Sequence, residues 1–190
     1  MTLPNLISTA RVLMVPAVMA LILAGFHGHE RWAAAVYLVA ALSDSLDGYL
    51  ARRQGWITVT GAFLDPLADK LLLIASFVTL TWLKALPFWI TAVVFSRDVM
   101  LIVGALLIHM VGGRIYPHPT WAGKAATFFQ ILTVLTALLS RYYRVPLGTS
   151  VIVWLAAGFT IASGLHYIWQ GVHVLNAAEH EESDEAPLLR

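Results

Sequence analysis

Long, continuous apolar segments are the feature that most constrains how this 190-residue chain can fold. A bilayer core about 30 Å thick needs about 20 mostly apolar residues per membrane-spanning helix. Hydrophobic residues make up 59% of the chain and charged residues only 12%, too few to cover the surface of a soluble fold. Because the apolar runs are continuous rather than alternating, they predict helices and not barrel strands. The predicted spans are 6–25, 31–53, 62–83, 86–110, 121–142 and 149–175.

Six such spans predict an all-α, polytopic membrane protein with both termini on one side of the membrane. We expect residues 1–176 to form one membrane domain. Residues 177–190 carry five acidic side chains, so we expect an acidic, solvated and disordered tail there. Lysine and arginine are spread almost evenly over the two sides, and the positive-inside rule therefore does not orient the chain.

Charge and cysteine content exclude several classes of protein. A formal net charge of +1 leaves no basic surface for nucleic acid. The chain has no cysteine, which excludes disulfides, thiolate ligands and a cysteine nucleophile. The first ten residues contain no lysine or arginine, so we interpret the first apolar run as a retained span rather than a signal peptide. No transit segment rich in arginine and serine precedes it, and a bacterial membrane is the expected location.

Four aspartates lie within the second and third predicted spans. An ionised carboxylate inside a bilayer costs at least about 2.5 kcal/mol, so four of them require compensation. Asp44 and Asp47 are three residues apart, and Asp65 and Asp69 are four apart, which places each pair on one helix face. Both pairs lie toward the short connection that joins the two spans. We therefore expect the four carboxylates to converge near one membrane face.

A group of four carboxylates suits two divalent cations and phosphoryl chemistry. Oxygen ligands favour Mg²⁺ or Mn²⁺ over zinc. Gly48 and Ala51 lie one helical turn after the first two aspartates and leave room for a ligand, and the guanidinium of Arg52 can bind a phosphate. A proton or ion transporter also gathers carboxylates inside the membrane. Spacing alone does not decide between an enzyme and a transporter.

The segment from Asp44 to Asp69 resembles the signature of the CDP-alcohol phosphatidyltransferase family. The resemblance rests on eight positions at fixed spacing across the connection between the two spans. A transporter would not need the small residues and the arginine at fixed offsets, so the resemblance favours an enzyme. The matching positions are Asp44, Asp47, Gly48, Ala51, Arg52, Gly61, Asp65 and Asp69.

This resemblance implies a six-helix enzyme, usually a homodimer, in the bacterial cytoplasmic membrane with a polar cavity open to the cytoplasm. It implies that the reaction transfers a phosphatidyl group from CDP-diacylglycerol to an alcohol and releases CMP. By matching position, two Mg²⁺ or Mn²⁺ ions are held by Asp44, Asp47, Asp65 and Asp69. Asp69 is also the implied catalytic base for the acceptor hydroxyl. The implied nucleotide and diphosphate ligands are Asp44, Asp47, Gly48, Ala51, Arg52 and Gly61.

Weaker similarities bear on the acceptor alcohol. Residues 4–11 resemble the opening shared by phosphatidylglycerophosphate synthases and cardiolipin synthases of this family. Residues 96–102, 119–130 and 162–171 resemble the cardiolipin synthases, with Gly123 where a serine is common. We therefore expect cardiolipin synthesis from CDP-diacylglycerol and phosphatidylglycerol. Phosphatidylglycerophosphate synthesis from glycerol 3-phosphate is the alternative, and an ion or proton transporter is a more distant one.

Three basic residues are candidates to bind the acceptor phosphate: Arg11, Arg97 and Lys124. Phosphatidylglycerol carries one negative charge, whereas glycerol 3-phosphate is a small dianion, so a sparse basic set favours the lipid acceptor. Each candidate also has a simpler interpretation. Arg97 can pair with Asp98, and the other two can extend to the lipid headgroups.

Overall fold

The computed structural model describes residues 3–24, 27–54, 59–110, 120–143 and 148–185 of the chain. Side chains are described for residues 13–24, 27–43, 70–104, 106–107, 110, 120–143 and 148–172. Within the described residues the chain forms six α-helices and no strand. They are α1 (Leu3–Leu23), α2 (His29–Gln54), α3 (Val59–Trp82), α4 (Phe88–Met110), α5 (Trp121–Tyr143) and α6 (Thr149–Glu185).

The prediction of an all-helical chain is confirmed, and most helix ends lie within about three residues of the predicted ones. The structure differs from the prediction at the end of α6, which continues to Glu185. Residues 177–185, for which we expected disorder, are therefore helical. Alanine and glutamate, both strong helix formers, dominate residues 177–182. Extending an existing helix also avoids the cost of a new nucleus.

The first of two compact units comprises Met1–Thr91 and Gln130–Val153. Helix α1 packs against both α2 and α3, and α2 and α3 also contact each other. Large apolar side chains from α1, α2, α3 and α5 are fully buried in this unit, among them Ile22, Tyr37, Phe77 and Leu138. This packing brings together the two helices that carry the four aspartates.

Helix α3 ends in a Schellman turn. The N–H of Lys84 donates to the carbonyl of Thr81 at 2.9 Å, and the N–H of Ala85 donates to the carbonyl of Leu80 at 2.8 Å. Lys84 has φ 55°, in the left-handed region where this motif usually places glycine. A non-glycine residue there costs about 1 kcal/mol of backbone strain.

The second unit comprises Ala92–Phe129 and Trp154–Arg190. The rings of Phe129 on α5 and Phe159 on α6 stack with centroids 5.1 Å apart and planes 5° apart. Small and polar side chains are buried here, and small residues allow helices to approach closely. They include Ala126, Ala156, Asp98, Thr160 and Ser163.

Apolar surface faces outward in both units. Val39 in the first unit is 55% exposed, and Leu165 in the second is 62% exposed. Soluble proteins rarely expose large contiguous apolar patches. Among the described residues, two helical segments are long and apolar enough to cross a membrane, Trp121–Tyr143 and Thr149–Val172. Together with the composition, these features indicate a membrane protein.

Candidate functional site

The structure places the four predicted metal ligands on two helices that touch. Asp44 and Asp47 lie on α2, and Asp65 and Asp69 lie on α3. Positions three or four residues apart are neighbours on a helix surface. The side chains of these aspartates lie outside the described ones, so their convergence stays a prediction. The same holds for the predicted nucleotide ligands Gly48, Ala51, Arg52 and Gly61.

The chemistry of this donor set fits hard divalent cations. All four residues offer carboxylate oxygens, the ligand type that Mg²⁺ and Mn²⁺ prefer. Among the side chains that the structure describes, no group of three or more His, Asp or Glu could hold a metal ion. Lys70, which directly follows Asp69 on α3, is a half-buried cation next to the aspartates. The sequence interpretation gave it no role.

Arg97 on α4 is held by contacts with two polar side chains. Its Nη1 donates to Asp98 Oδ1 at 2.8 Å, and the two side chains are 11% and 7% exposed. Its Nη2 donates to Ser163 Oγ on α6 at 3.2 Å. Its Nε is buried and has no hydrogen-bond partner among the residues that the structure describes. Arg97 therefore does pair with Asp98, as the simpler interpretation expected, and the pair leaves one buried donor unsatisfied.

The guanidinium of Arg97 lies beside the first turn of α5. A Cβ atom added to Gly123 would lie 3.5 Å from Arg97 Nη2 and 3.5 Å from Ser163 Oγ. Thr120 caps this turn, because the N–H of Gly123 donates to Thr120 Oγ1 at 3.1 Å and the N–H of Lys124 donates to its carbonyl at 3.1 Å. A helix N-terminus carries partial positive charge. The ion-paired guanidinium of Arg97 thus lies next to a positive helix end, whose partial charge favours an anionic ligand.

Lys124, the second acceptor candidate, lies on the same turn of α5. Its Nζ is 5.5 Å from the centroid of the Trp121 ring, a cation–π distance. Trp121 is 87% exposed, as expected of an aromatic residue at a membrane interface. Arg97 and Lys124 therefore both border the start of α5 within the second unit. Arg11, the third candidate, lies on α1, and its side chain is outside the described ones.

Two residues near Arg97, Thr120 and Ser163, had no assigned role in the sequence interpretation. Thr120 carries a recognisable signal, because a threonine directly before a helical segment is a typical N-cap. Ser163 gives no comparable local signal, since it is 66 residues from Arg97 in the sequence. Its contact with Arg97 follows from the packing of α6 beside α4, which periodicity alone does not reveal.

Comparison with known proteins bears on the chemistry. Residues 1–162 match the sequence model of the CDP-alcohol phosphatidyltransferase family, a range that includes the four aspartates, Arg97 and Lys124. A cardiolipin synthase (CMP-forming) of Streptomyces coelicolor is 38% identical over 90% of this chain and 80% of that protein.

Relatives named for the other acceptor are also similar. A CDP-diacylglycerol–glycerol-3-phosphate 3-phosphatidyltransferase of Pseudomonas fluorescens is 36% identical over 88% of this chain and 89% of that protein. The Bacillus subtilis protein of that name is 31% identical over 92% of this chain and 98% of that protein. These similarities show the family and leave both acceptors open.

Proposed function

This chain is an enzyme that belongs to the CDP-alcohol phosphatidyltransferase family, and we propose that it makes cardiolipin from CDP-diacylglycerol and phosphatidylglycerol, releasing CMP. Family membership removes the support for a transporter, which the aspartate spacing alone had left open. The similarity to a CMP-forming cardiolipin synthase supports the lipid acceptor.

The ion pair between Arg97 and Asp98 is the observation that carries the acceptor assignment. Among the described residues, Arg97 and Lys124 are the cations that border the first turn of α5, and Asp98 neutralises one of them. These three described side chains together carry one net positive charge. Phosphatidylglycerol presents a singly charged phosphodiester, which one net positive charge balances. Glycerol 3-phosphate is a dianion and would gain more from several unpaired cations.

In the proposed reaction, a glycerol hydroxyl of phosphatidylglycerol attacks the phosphorus of CDP-diacylglycerol that carries the diacylglycerol. Asp69 accepts the hydroxyl proton, the role of a general base. A new bond forms from the hydroxyl oxygen to phosphorus, and the bond from that phosphorus to the CMP oxygen breaks. CMP departs with the electron pair. Two divalent cations, when bound, supply neutralisation of the diphosphate and of the departing CMP.

The remaining residues of the family signature hold the substrate in this proposal. Asp44, Asp47 and Asp65 hold the cations together with Asp69. The guanidinium of Arg52 binds the diphosphate, since its planar fork suits two phosphate oxygens. The small residues at positions 48, 51 and 61 leave room for the cytidine.

We place this chemistry in the bacterial cytoplasmic membrane, with six spans, the active site on the cytoplasmic side, and two copies of the chain forming a homodimer. In this arrangement residues 1–176 form one membrane domain. The apolar outward surface and the two long apolar segments support the membrane location. Access from the bilayer also suits two lipid substrates, because neither has to leave the membrane.

Product analysis tests the acceptor. Purified protein is incubated with CDP-diacylglycerol and Mn²⁺, phosphatidylglycerol and glycerol 3-phosphate are offered separately, and the lipid products are identified by mass. We expect cardiolipin with phosphatidylglycerol, and far less product in the same incubation of Asp69→Asn. Product with glycerol 3-phosphate alone would overturn the assignment in favour of phosphatidylglycerophosphate synthesis, the activity for which the Pseudomonas and Bacillus relatives are named.

A further inference from the structure

The side chain of Arg97 crosses a junction of α4, α5 and α6 that is built from small residues. A Cβ added to Gly164 on α6 would lie 3.9 Å from Arg97 Cγ, against the aliphatic stem. Gly123 on α5 and Ser163 on α6 lie against the guanidinium. Each of the three positions carries a side chain no larger than serine, so the long arginine side chain fits between the helices of the second unit.

Two polar contacts determine where the guanidinium lies. Asp98 is 5% exposed and accepts from Nη1, while Ser163 is fully buried and accepts from Nη2. The contacts reach the guanidinium from two helices, because Asp98 is on α4 and Ser163 is on α6. A long side chain held at both terminal nitrogens has lost its rotamer freedom before any ligand arrives. Preorganisation of this kind lowers the cost of binding.

Gly123 controls how closely the guanidinium approaches α5. A Cβ at this position would be 3.1 Å from Thr120 Oγ1, tighter than ordinary contact, and 3.5 Å from both Arg97 Nη2 and Ser163 Oγ. Thr120 Oγ1 is already fixed as the cap of this turn. An alanine at 123 would therefore have to displace the cap, or the guanidinium with its serine partner.

We propose that Asp98, Ser163 and Gly123 are positioning residues, which hold the Arg97 guanidinium against the first turn of α5 in the orientation that receives the phosphate of the glycerol-containing acceptor. The inference rests on the proposed function in one respect, that Arg97 contacts the acceptor. It adds that the affinity for the acceptor depends on Ser163 and Gly123, and that binding of CDP-diacylglycerol does not.

Ser163→Ala removes one contact and is the primary test. We expect KM for the acceptor to rise about 3- to 10-fold, the effect of one lost hydrogen bond. We expect kcat and KM for CDP-diacylglycerol to stay within about twofold, because the proposed function assigns both to the signature residues of α2 and α3. Ser76→Ala is the matched control. Ser76 is equally buried, but its Oγ donates to the carbonyl of Leu72 on its own helix at 2.8 Å, so both KM values should be unchanged.

Gly123→Ala is the second test, and Gly158→Ala is its control. Both substitutions add one methyl group to a helix of the second unit, and both replace glycine with a better helix former. In the described part of the chain, a Cβ at Gly158 would meet nothing within 4 Å. We expect about a tenfold rise in KM for the acceptor in Gly123→Ala and no change in Gly158→Ala. A thermal melt of each variant in detergent identifies any that fails to fold, and Ser163→Ala then decides the outcome.

Different results would overturn the proposed function and the positioning roles. If the unmodified protein uses glycerol 3-phosphate alone, the proposed function fails, but a rise in KM for glycerol 3-phosphate in Ser163→Ala still supports the positioning roles. If cardiolipin is the product and Ser163→Ala and Gly123→Ala retain the wild-type KM for phosphatidylglycerol, the positioning inference is overturned and the function stands. A rise in KM for CDP-diacylglycerol alone also overturns it.

Discussion

Two charged regions of the protein have their charges offset in different ways. The acidic segment is the pair of aspartates on α2 and the pair on α3, and the Arg97 cluster is Arg97 with Asp98 and Ser163 in the second unit. Arg97 is balanced inside the protein by Asp98, with Ser163 as a further partner. The acidic segment holds four aspartates, for which the proposed function requires cations from solution. The charge of Arg97 is thus offset before any ligand binds, although the proposed function has its guanidinium contact the acceptor. The charges of the four aspartates are offset only when cations bind. The two regions should therefore respond differently to metal removal, to loss of a carboxylate and to loss of a cation.

Metal removal should have the largest effect, and it should act through the acidic segment alone. We expect a chelator to abolish CMP release and added Mg²⁺ or Mn²⁺ to restore it, because the four carboxylates cannot hold the diphosphate without cations. CMP release is measured before and after metal is restored. Undiminished turnover after exhaustive chelation would contradict the difference between the two regions.

Loss of the catalytic base should have the next largest effect. Asp69→Asn removes the proton acceptor, so turnover should fall by about 10²- to 10⁴-fold, while binding of CDP-diacylglycerol is largely retained. CMP release and a separate binding assay measure the two quantities. Glu30→Gln on α2 is the control, because Glu30 lies beside His29 at the other end of that helix from Asp47, and its turnover should match the wild type. Retained turnover in Asp69→Asn would remove the assigned role.

A change at Arg97 should give a smaller effect confined to the acceptor. Arg97→Lys keeps the positive charge opposite Asp98 but loses the planar fork, so we expect KM for phosphatidylglycerol to rise about tenfold. Steady-state kinetics with each substrate varied in turn measure this. Arg141→Lys is the control, since Arg141 Nη1 donates to the carbonyl of Leu83 in the first unit at 3.4 Å. An equal rise in KM for CDP-diacylglycerol in Arg97→Lys would show that the effect of Arg97 is not confined to the acceptor.

The smallest predicted effect comes from a substitution outside both charged regions, at the turn that ends α3. It should change stability without changing the kinetics, in contrast to the substitutions above. Lys84→Gly relieves the left-handed backbone at φ 55°, and the greater freedom of glycine in the unfolded chain offsets part of the gain. We expect the free energy of unfolding to rise by less than about 1 kcal/mol, with unchanged kinetics. Gly148→Ala, at φ 66°, should be destabilised by about 1 kcal/mol. A lower melting temperature for Lys84→Gly would show that the turn is not strained.

The helices were predictable because a membrane span leaves a long and continuous apolar signal. Helices α4 and α5 follow the predicted spans within about two residues. The end of α6 was not predictable from hydropathy, since acidic residues that suggest a solvated tail are also good helix formers. Both readings of residues 177–185 were consistent with the same composition.

The sequence predicted some contacts of the candidate site but not others. The pairing of Arg97 with Asp98 could be anticipated because the two residues are adjacent in the sequence. The contacts with Ser163 and Gly123 required the packing of α5 and α6 beside α4, which depends on tertiary structure. The four aspartates on α2 and α3 are placed by helix and by position, and the convergence of their side chains stays a prediction.

Diffraction from crystals grown with Mn²⁺ and CDP-diacylglycerol tests the metal site most directly. We predict two anomalous peaks about 3.5–4 Å apart between α2 and α3, each in contact with carboxylates from the set Asp44, Asp47, Asp65 and Asp69. A map in which these side chains point apart, with no anomalous peak among them, would contradict the account.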